Sequence, residues 1–184
     1  MDGEPGDEEL MQRYRDGDTA AFNTLYARHK GPLYRYFLRQ CESENLAEEL
    51  FQDVWMKLIR ARDRYEPRAR FRTWLYTLAH NRLVDHYRHT GNMAALRNPG
   101  DPKDPETLPA AASDAPDQRT HTRLLVERLL ELLKGLPGPQ REAFLLREEG
   151  GLRVEAIADA TGVSKETAKS RLRYAVRRLR DGLR

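Results

Sequence analysis

The chain has 184 residues, a third of them charged, and a formal net charge of +3. A single cysteine, Cys41, excludes an internal disulfide, and no apolar run approaches the ~20 residues of a membrane span. The acidic start MDGEPGDEEL lacks the basic and then apolar runs of a secretory signal, so the expected location is the cytoplasm, without membrane insertion.

Residues 7–90 read as nearly continuous helix with short breaks. Leu10, Met11 and Tyr14 start an amphipathic pattern that Gly17-Asp18 interrupts. Phe22, Leu25, Tyr26 and His29 form the next face, with a break expected at Gly31-Pro32. Leu33, Tyr36, Phe37 and Gln40 follow. After Ser43, Leu46, Leu50, Val54, Leu58 and Ile59 fall at helical intervals. Beyond Glu66-Pro67, Phe71, Leu75, Leu78, Ala79, Leu83 and Tyr87 make another long face. Such a pattern predicts a bundle of short packed helices.

Residues 91–119 change character. They hold five of the ten prolines, set among Gly, Ala, Ser and Asp. A segment so poor in apolar residues is expected to be a flexible linker. From Thr120 the helical pattern resumes with Leu124, Leu125, Leu129 and Leu132, and it breaks at Gly135-Leu136-Pro137-Gly138-Pro139. A helix over Arg141–Glu149 is followed by Gly150-Gly151.

The last thirty-odd residues predict a helix-turn-helix. Val154, Ile157 and Ala158 give the first helix an apolar face, and the turn falls at Thr161-Gly162-Val163. Ser164 stands where an N-cap belongs. Ala168, Leu172, Ala175, Val176 and Leu179 carry the apolar face of the second helix, while Lys165, Thr167, Lys169, Ser170 and Arg173 point elsewhere. A helix of this kind enters a DNA major groove. The charge agrees: residues 121–184 hold 14 Lys and Arg against 9 acids, whereas residues 1–90 hold 15 of each.

Two runs in the amino-terminal half carry further chemistry. Residues 60–90 contain eight Arg against three acids, with aromatic residues interleaved. Cations track phosphates, and aromatics with a loop pocket hold unstacked bases. Arg72 and Arg88 are the expected phosphate contacts; Asn81 and Asp85 offer hydrogen bonds. Trp74 reads equally well as a core residue. The second run, AEELFQDVWMKL, sets Gln52, Asp53, Met56 and Lys57 off the stripe of Leu50, Val54 and Leu58. That mixed face suits docking to another protein's helix, although a solvated face fits the pattern too.

Four segments, AEELFQDVWMKL, FRTWLYTLAHNRLVDHYR, LPGPQREAFLL and EAIADATGVSKETAKSRLRYAVRRLR, together resemble extracytoplasmic-function sigma factors of the sigma-70 family. The resemblance covers about residues 8–90 and 121–184. It implies an all-α chain of two small helical domains on a flexible linker: a domain 2 bundle at 1–90, the linker at 91–119, and a domain 4 helix-turn-helix at 120–184. The implied partners are core RNA polymerase, through its β′ clamp helices and β flap, promoter DNA, and a separate anti-sigma factor. Glu49, Gln52, Asp53 and Lys57 would dock on polymerase. Arg72, Asn81, Asp85 and Arg88 would contact the −10 element, and the loop from Arg64 to Arg70 would hold a flipped base. Lys165, Thr167, Lys169, Ser170, Arg171 and Arg173 would serve the −35 element, with Arg171 alternatively packed beneath the turn. No cofactor, metal or catalytic residue is implied. His80 and His86 diverge around a helix, and His86 with His89 supply too few ligands for a metal site; the histidines are expected at the surface, near phosphates. The competing readings are a helix-turn-helix regulator acting without core polymerase, and a protein-binding module sequestered by a partner.

Overall fold

The computed structural model describes residues 4–93 and 118–184. Every element among them is helical. The amino-terminal lobe holds α1 (Asp7–Arg15), α2 (Thr19–Gln40), α3 (Glu44–Ala61), a 3-10 turn (Arg62–Arg64) and α4 (Phe71–His89). The carboxyl-terminal lobe holds α5 (Gln118–Lys134), α6 (Gly138–Glu148), α7 (Val154–Thr161) and α8 (Lys165–Gly182). The Pro-rich stretch read as a linker lies, apart from its ends, outside the described residues.

The helix boundaries follow local chemistry. Asp18 caps α2 by accepting from the amides of Ala20 and Ala21, and Ser43 caps α3 by accepting from Leu46 N–H. Gly162 ends α7 with φ +67°, a conformation that costs any other residue free energy. Ser164 then accepts from Thr167 N–H at 3.1 Å and opens α8.

One expected break is absent. Helix α2 runs through Gly31-Pro32 to Gln40. An interior proline costs about 3 kcal/mol. Leu25, His29, Leu33, Tyr36, Phe37 and Gln40 are all buried on one stripe spanning it. Each large apolar side chain so buried contributes roughly 1.5–3 kcal/mol, so the burial of Leu25, Leu33, Tyr36 and Phe37 on both sides of Pro32 outweighs that cost.

In the bundle, α1 and α3 pack against α2, and α4 against α3. In the second lobe α8 packs on α6 and α7. The two lobes are docked, mainly through α7 on α4 and α6 on α2, and their buried residues form one continuous cluster. Gly150 lies in that junction, where an added Cβ would come 2.6 Å from Leu146 O and 3.2 Å from the Tyr76 ring. A smaller cluster of Leu132, Leu133, Leu136, Ala175 and Leu179 ties α5 to α8. The predicted apolar faces need two adjustments: Val176 on α8, and Leu124 and Leu125 on α5, are exposed.

Candidate nucleic-acid and partner interfaces

On α3, Glu49, Asp53 and Lys57 recur every four residues, so they form one row along the helix. Gln52 is exposed beside them. The row faces α4 rather than open solvent alone. Arg82 Nε donates to Asp53 Oδ2 at 2.7 Å and its Nη2 lies 3.5 Å from Glu49 Oε1. Lys57 Nζ lies 3.8 Å from Asp85 Oδ2. Glu49, Asp53 and Lys57 of the docking set therefore meet α4 directly, and Lys57 there reaches Asp85 of the −10 set. Arg82, the side chain that joins them, was not singled out in the sequence. It sits between Asn81 and Leu83, and only the packing of α3 on α4 gives it a role.

Asn81, Asp85 and Arg88 are exposed along α4, with Arg88 Nη1 4.0 Å from Asp85. Arg72, in the first turn of α4, is exposed and its Nε lies 3.6 Å from Asp7 Oδ2. That aspartate is the hub of α1. Its Oδ2 sits 2.9 Å from His29 Nε2, and Arg28 Nη1 donates to its Oδ1 at 3.0 Å. Burial pushes the Asp7 carboxyl up, but the His29 hydrogen bond, aided by Arg28 and Arg72, outweighs it and brings the pKa down to about 2.

The loop before α4 is held at both ends by α1. Arg15 Nη1 donates to Tyr65 O at 3.2 Å, and Glu8 Oε1 accepts from Phe71 N–H at 2.9 Å. Between these anchors, Glu8 and Pro67–Arg70 line a shallow open pocket of roughly 460 Å³. Trp74 belongs to the core side of this region: its ring lies 5.0 Å from that of Tyr65 and 6.1 Å from that of Phe71.

On α8, Lys165, Lys169, Ser170 and Arg173 are exposed and Thr167 is half-buried. Lys165 Nζ pairs with Glu155 of α7 at 2.5 Å, and the Thr167 and Ser164 hydroxyls are 2.9 Å apart. Arg171 is different. It is partly buried, its Nε has no hydrogen-bond partner, and burial lowers its pKa despite the nearby Glu142. It lies near Glu142 of α6, whereas Lys165, Lys169 and Arg173 are exposed.

The histidines also divide. His80 is not a surface residue near phosphates: its Nδ1 lies 2.7 Å from Glu142 Oε1 of the other lobe. Among the described residues no three His, Cys, Asp or Glu side chains are grouped to hold a metal. No described helix is long and apolar enough to cross a membrane.

Comparison with known proteins bears on both lobes. Residues 25–92 match the family description Sigma-70 region 2, and residues 126–179 match Sigma-70, region 4. The chain is 35% identical to the RNA polymerase sigma factor CarQ of Myxococcus xanthus, over 93% of this chain and 94% of that protein. It is 30% identical to the ECF RNA polymerase sigma factor SigK of Mycobacterium tuberculosis, over 95% of this chain and 91% of that protein. Its fold is similar to that of CnrH in complex with the cytosolic domain of CnrY, with a TM-score of 0.66, 23% identity, and 95% of this chain and 94% of that one covered. It is also similar to sigma factor RpoE bound to the anti-sigma factor NepR from Bartonella quintana, with a TM-score of 0.64, 24% identity, and coverage of 88% and 96%.

Proposed function

The chain belongs to the sigma-70 family, in its extracytoplasmic-function branch, and from that premise we propose how its two lobes divide the work of initiation. The protein is an alternative sigma factor: it binds core RNA polymerase, recognises −35 and −10 elements, and melts the DNA between the strands of the latter. It is a transcription initiation factor, not itself an enzyme, and acts in the cytoplasm.

The ion pairs that join α3 to α4, from Arg82 to Glu49 and Asp53 and from Lys57 to Asp85, support the division of labour. Glu49, Gln52, Asp53 and Lys57 dock on the β′ clamp helices, and Asn81, Asp85, Arg72 and Arg88 face the −10 DNA. With Arg82 bridging α3 to α4, docking on polymerase orients the DNA face at the same time. The pocket under residues 67–70 receives an unstacked base, whose extrusion costs a few kcal/mol that the pocket contacts must offset. On the other lobe, Lys165, Thr167, Lys169, Ser170 and Arg173 meet the −35 duplex. Helix termini and cations set the register on phosphates, and side chains at the groove read bases. Arg171 joins them only once it leaves its packed position.

A free-standing duplex-binding regulator would account for residues 126–179 and leave the region 2 match at 25–92 without purpose. An anti-sigma factor is the expected inhibitory partner, in line with the complexes formed by CnrH and RpoE. The direct test is reconstitution. Core polymerase plus this chain should give run-off transcripts from a subset of a genomic promoter library, and core alone should not. Duplex binding without any transcript would favour the regulator.

A further inference from the structure

The junction between the lobes is built around one buried acid. Glu142, on α6, is almost wholly buried. Its Oε1 accepts from Tyr36 OH of α2 at 2.6 Å and lies 2.7 Å from His80 Nδ1 of α4. One carboxylate oxygen of the second lobe thus engages two helices of the first. A second acid, Glu149, sits at the rim of the same junction. Arg35 Nε donates to it at 2.9 Å, and Arg39 pairs with its other oxygen. Arg141 Nε adds a hydrogen bond to Gln40 Oε1 at 3.1 Å. Every one of these contacts crosses between lobes.

Docked lobes cannot do what the proposed function requires of them. The −35 and −10 elements are about 25 base pairs apart, roughly 85 Å along B-form DNA at 3.4 Å per step. A compact body of this chain's size has a radius of gyration of about 16 Å and a diameter of roughly 40 Å. The lobes must part before both elements are held. Docking also crowds two side chains assigned to DNA. Arg171 is packed near Glu142, and a Cβ at Gly151 would lie 2.9 Å from Arg72 Nη1.

We propose that Glu142 is the keystone of a latch, formed with Tyr36 and His80, that holds the free protein closed and must release before the chain can span a promoter. This inference takes its need for opening from the sigma reading; the latch itself stands on the contacts.

The latch is sensitive to protonation. The groups that face the His80–Glu142 pair are Tyr36 from α2, Tyr87 from α4 and Arg171 from α8. Burial and Arg171 act against a charged imidazole, but the hydrogen bond and charge of Glu142 outweigh them, so the His80 pKa is raised above 6.5. A raised value in the closed state means that closure binds a proton. The latch is at full strength below the open-state value and weakens as pH rises through the closed-state one.

Small-angle scattering of the full chain between pH 6 and 9 tests this. The wild type should be compact at the acid end and expand as pH rises. Glu142→Gln, which removes the charge but keeps the shape, should be expanded throughout and lose the pH response, with helicity by circular dichroism unchanged. An unchanged radius and pH profile in Glu142→Gln would overturn the latch. If that variant loses helicity, Tyr36→Phe decides: it deletes one hydroxyl, and a wild-type radius and profile would overturn the proposal equally. Because only the open fraction binds core, apparent affinity scales with that fraction, and Glu142→Gln should bind core polymerase several-fold more tightly. If the radius responds as expected but neither protein binds core, the latch stands and the sigma reading fails.

Discussion

Glu8 Oε1 accepts the backbone N–H of Phe71 at 2.9 Å, so α1 caps α4 from sixty-three residues upstream. Arg70, which holds the N-cap position itself, supplies no side-chain cap. The first turn of α4 carries Arg72, and the loop before it carries the pocket; both depend on a helix outside either element. Loss of a cap typically costs about 1 kcal/mol. Glu8→Ala should therefore lower the unfolding free energy by about that much in a urea titration. Glu8→Gln keeps an acceptor and should cost less. Equal midpoints for wild type and Glu8→Ala would show that the cap contributes nothing.

Asp7 makes stability depend on acid. Its pKa is depressed from 3.8 to about 2 in the folded chain. A depressed carboxylate contributes stability that is present above the unfolded value and is lost as pH falls through the folded one. The window is thus about pH 4 to 2, and the contribution is roughly 2 kcal/mol at 1.36 kcal/mol per unit. Asp7→Asn should be less stable than wild type at pH 7, and the two unfolding curves should converge as pH falls through that window. A constant gap across it would remove Asp7 as the cause.

Ser164 caps the recognition helix. Ser164→Ala should cost about 1 kcal/mol of stability and weaken binding of −35 duplex, because Lys165 and Thr167 lie in the turn that frays. Lys169→Ala should reduce the log–log salt slope by about 0.9 if that lysine neutralises one phosphate. An unchanged slope in a fluorescence titration would assign Lys169 elsewhere.

Asp53→Arg reverses the charge at the centre of the α3 row and sets it against Arg82. Exposed pairs of this type are worth only about 0.2–1 kcal/mol to folding, so helicity should hold. Affinity for core polymerase should fall at least tenfold, about 1.4 kcal/mol. Wild-type affinity would take the α3 row out of the interface.

Much of this architecture was legible in the residues. The stripes on α1, α3 and α4, the cap at Ser164 and the turn at Gly162 are local features, written within a few positions of where they act. The break expected at Pro32 is absent because the cost of a proline is local, whereas the burial that outweighs it comes from helices packed around α2 from both lobes. Glu142 is the clearest case of what pattern cannot show. In LPGPQREAFLL it looks like an ordinary exposed acid. Its partners, Tyr36 and His80, are 106 and 62 residues away, and only the docking of the lobes brings the three together. Arg82 was missed for the same reason. His80 was misplaced at the surface because a lone histidine on a basic helix carries no mark of the partner it meets.

In the proposed function the amino-terminal lobe opens promoter DNA when carried by core polymerase. Permanganate footprinting of unpaired thymines on a cognate promoter tests it most directly. The holoenzyme with wild-type protein should give reactive thymines at the −10 element. Asn81→Ala should assemble normally and bind the −35 element normally, yet reduce that reactivity, with a cost of about 1–3 kcal/mol for one lost base contact. Normal reactivity in Asn81→Ala would move the base contact to another residue. A wild-type holoenzyme that assembles on its promoters and yields no reactive thymines on any of them would contradict the melting role itself.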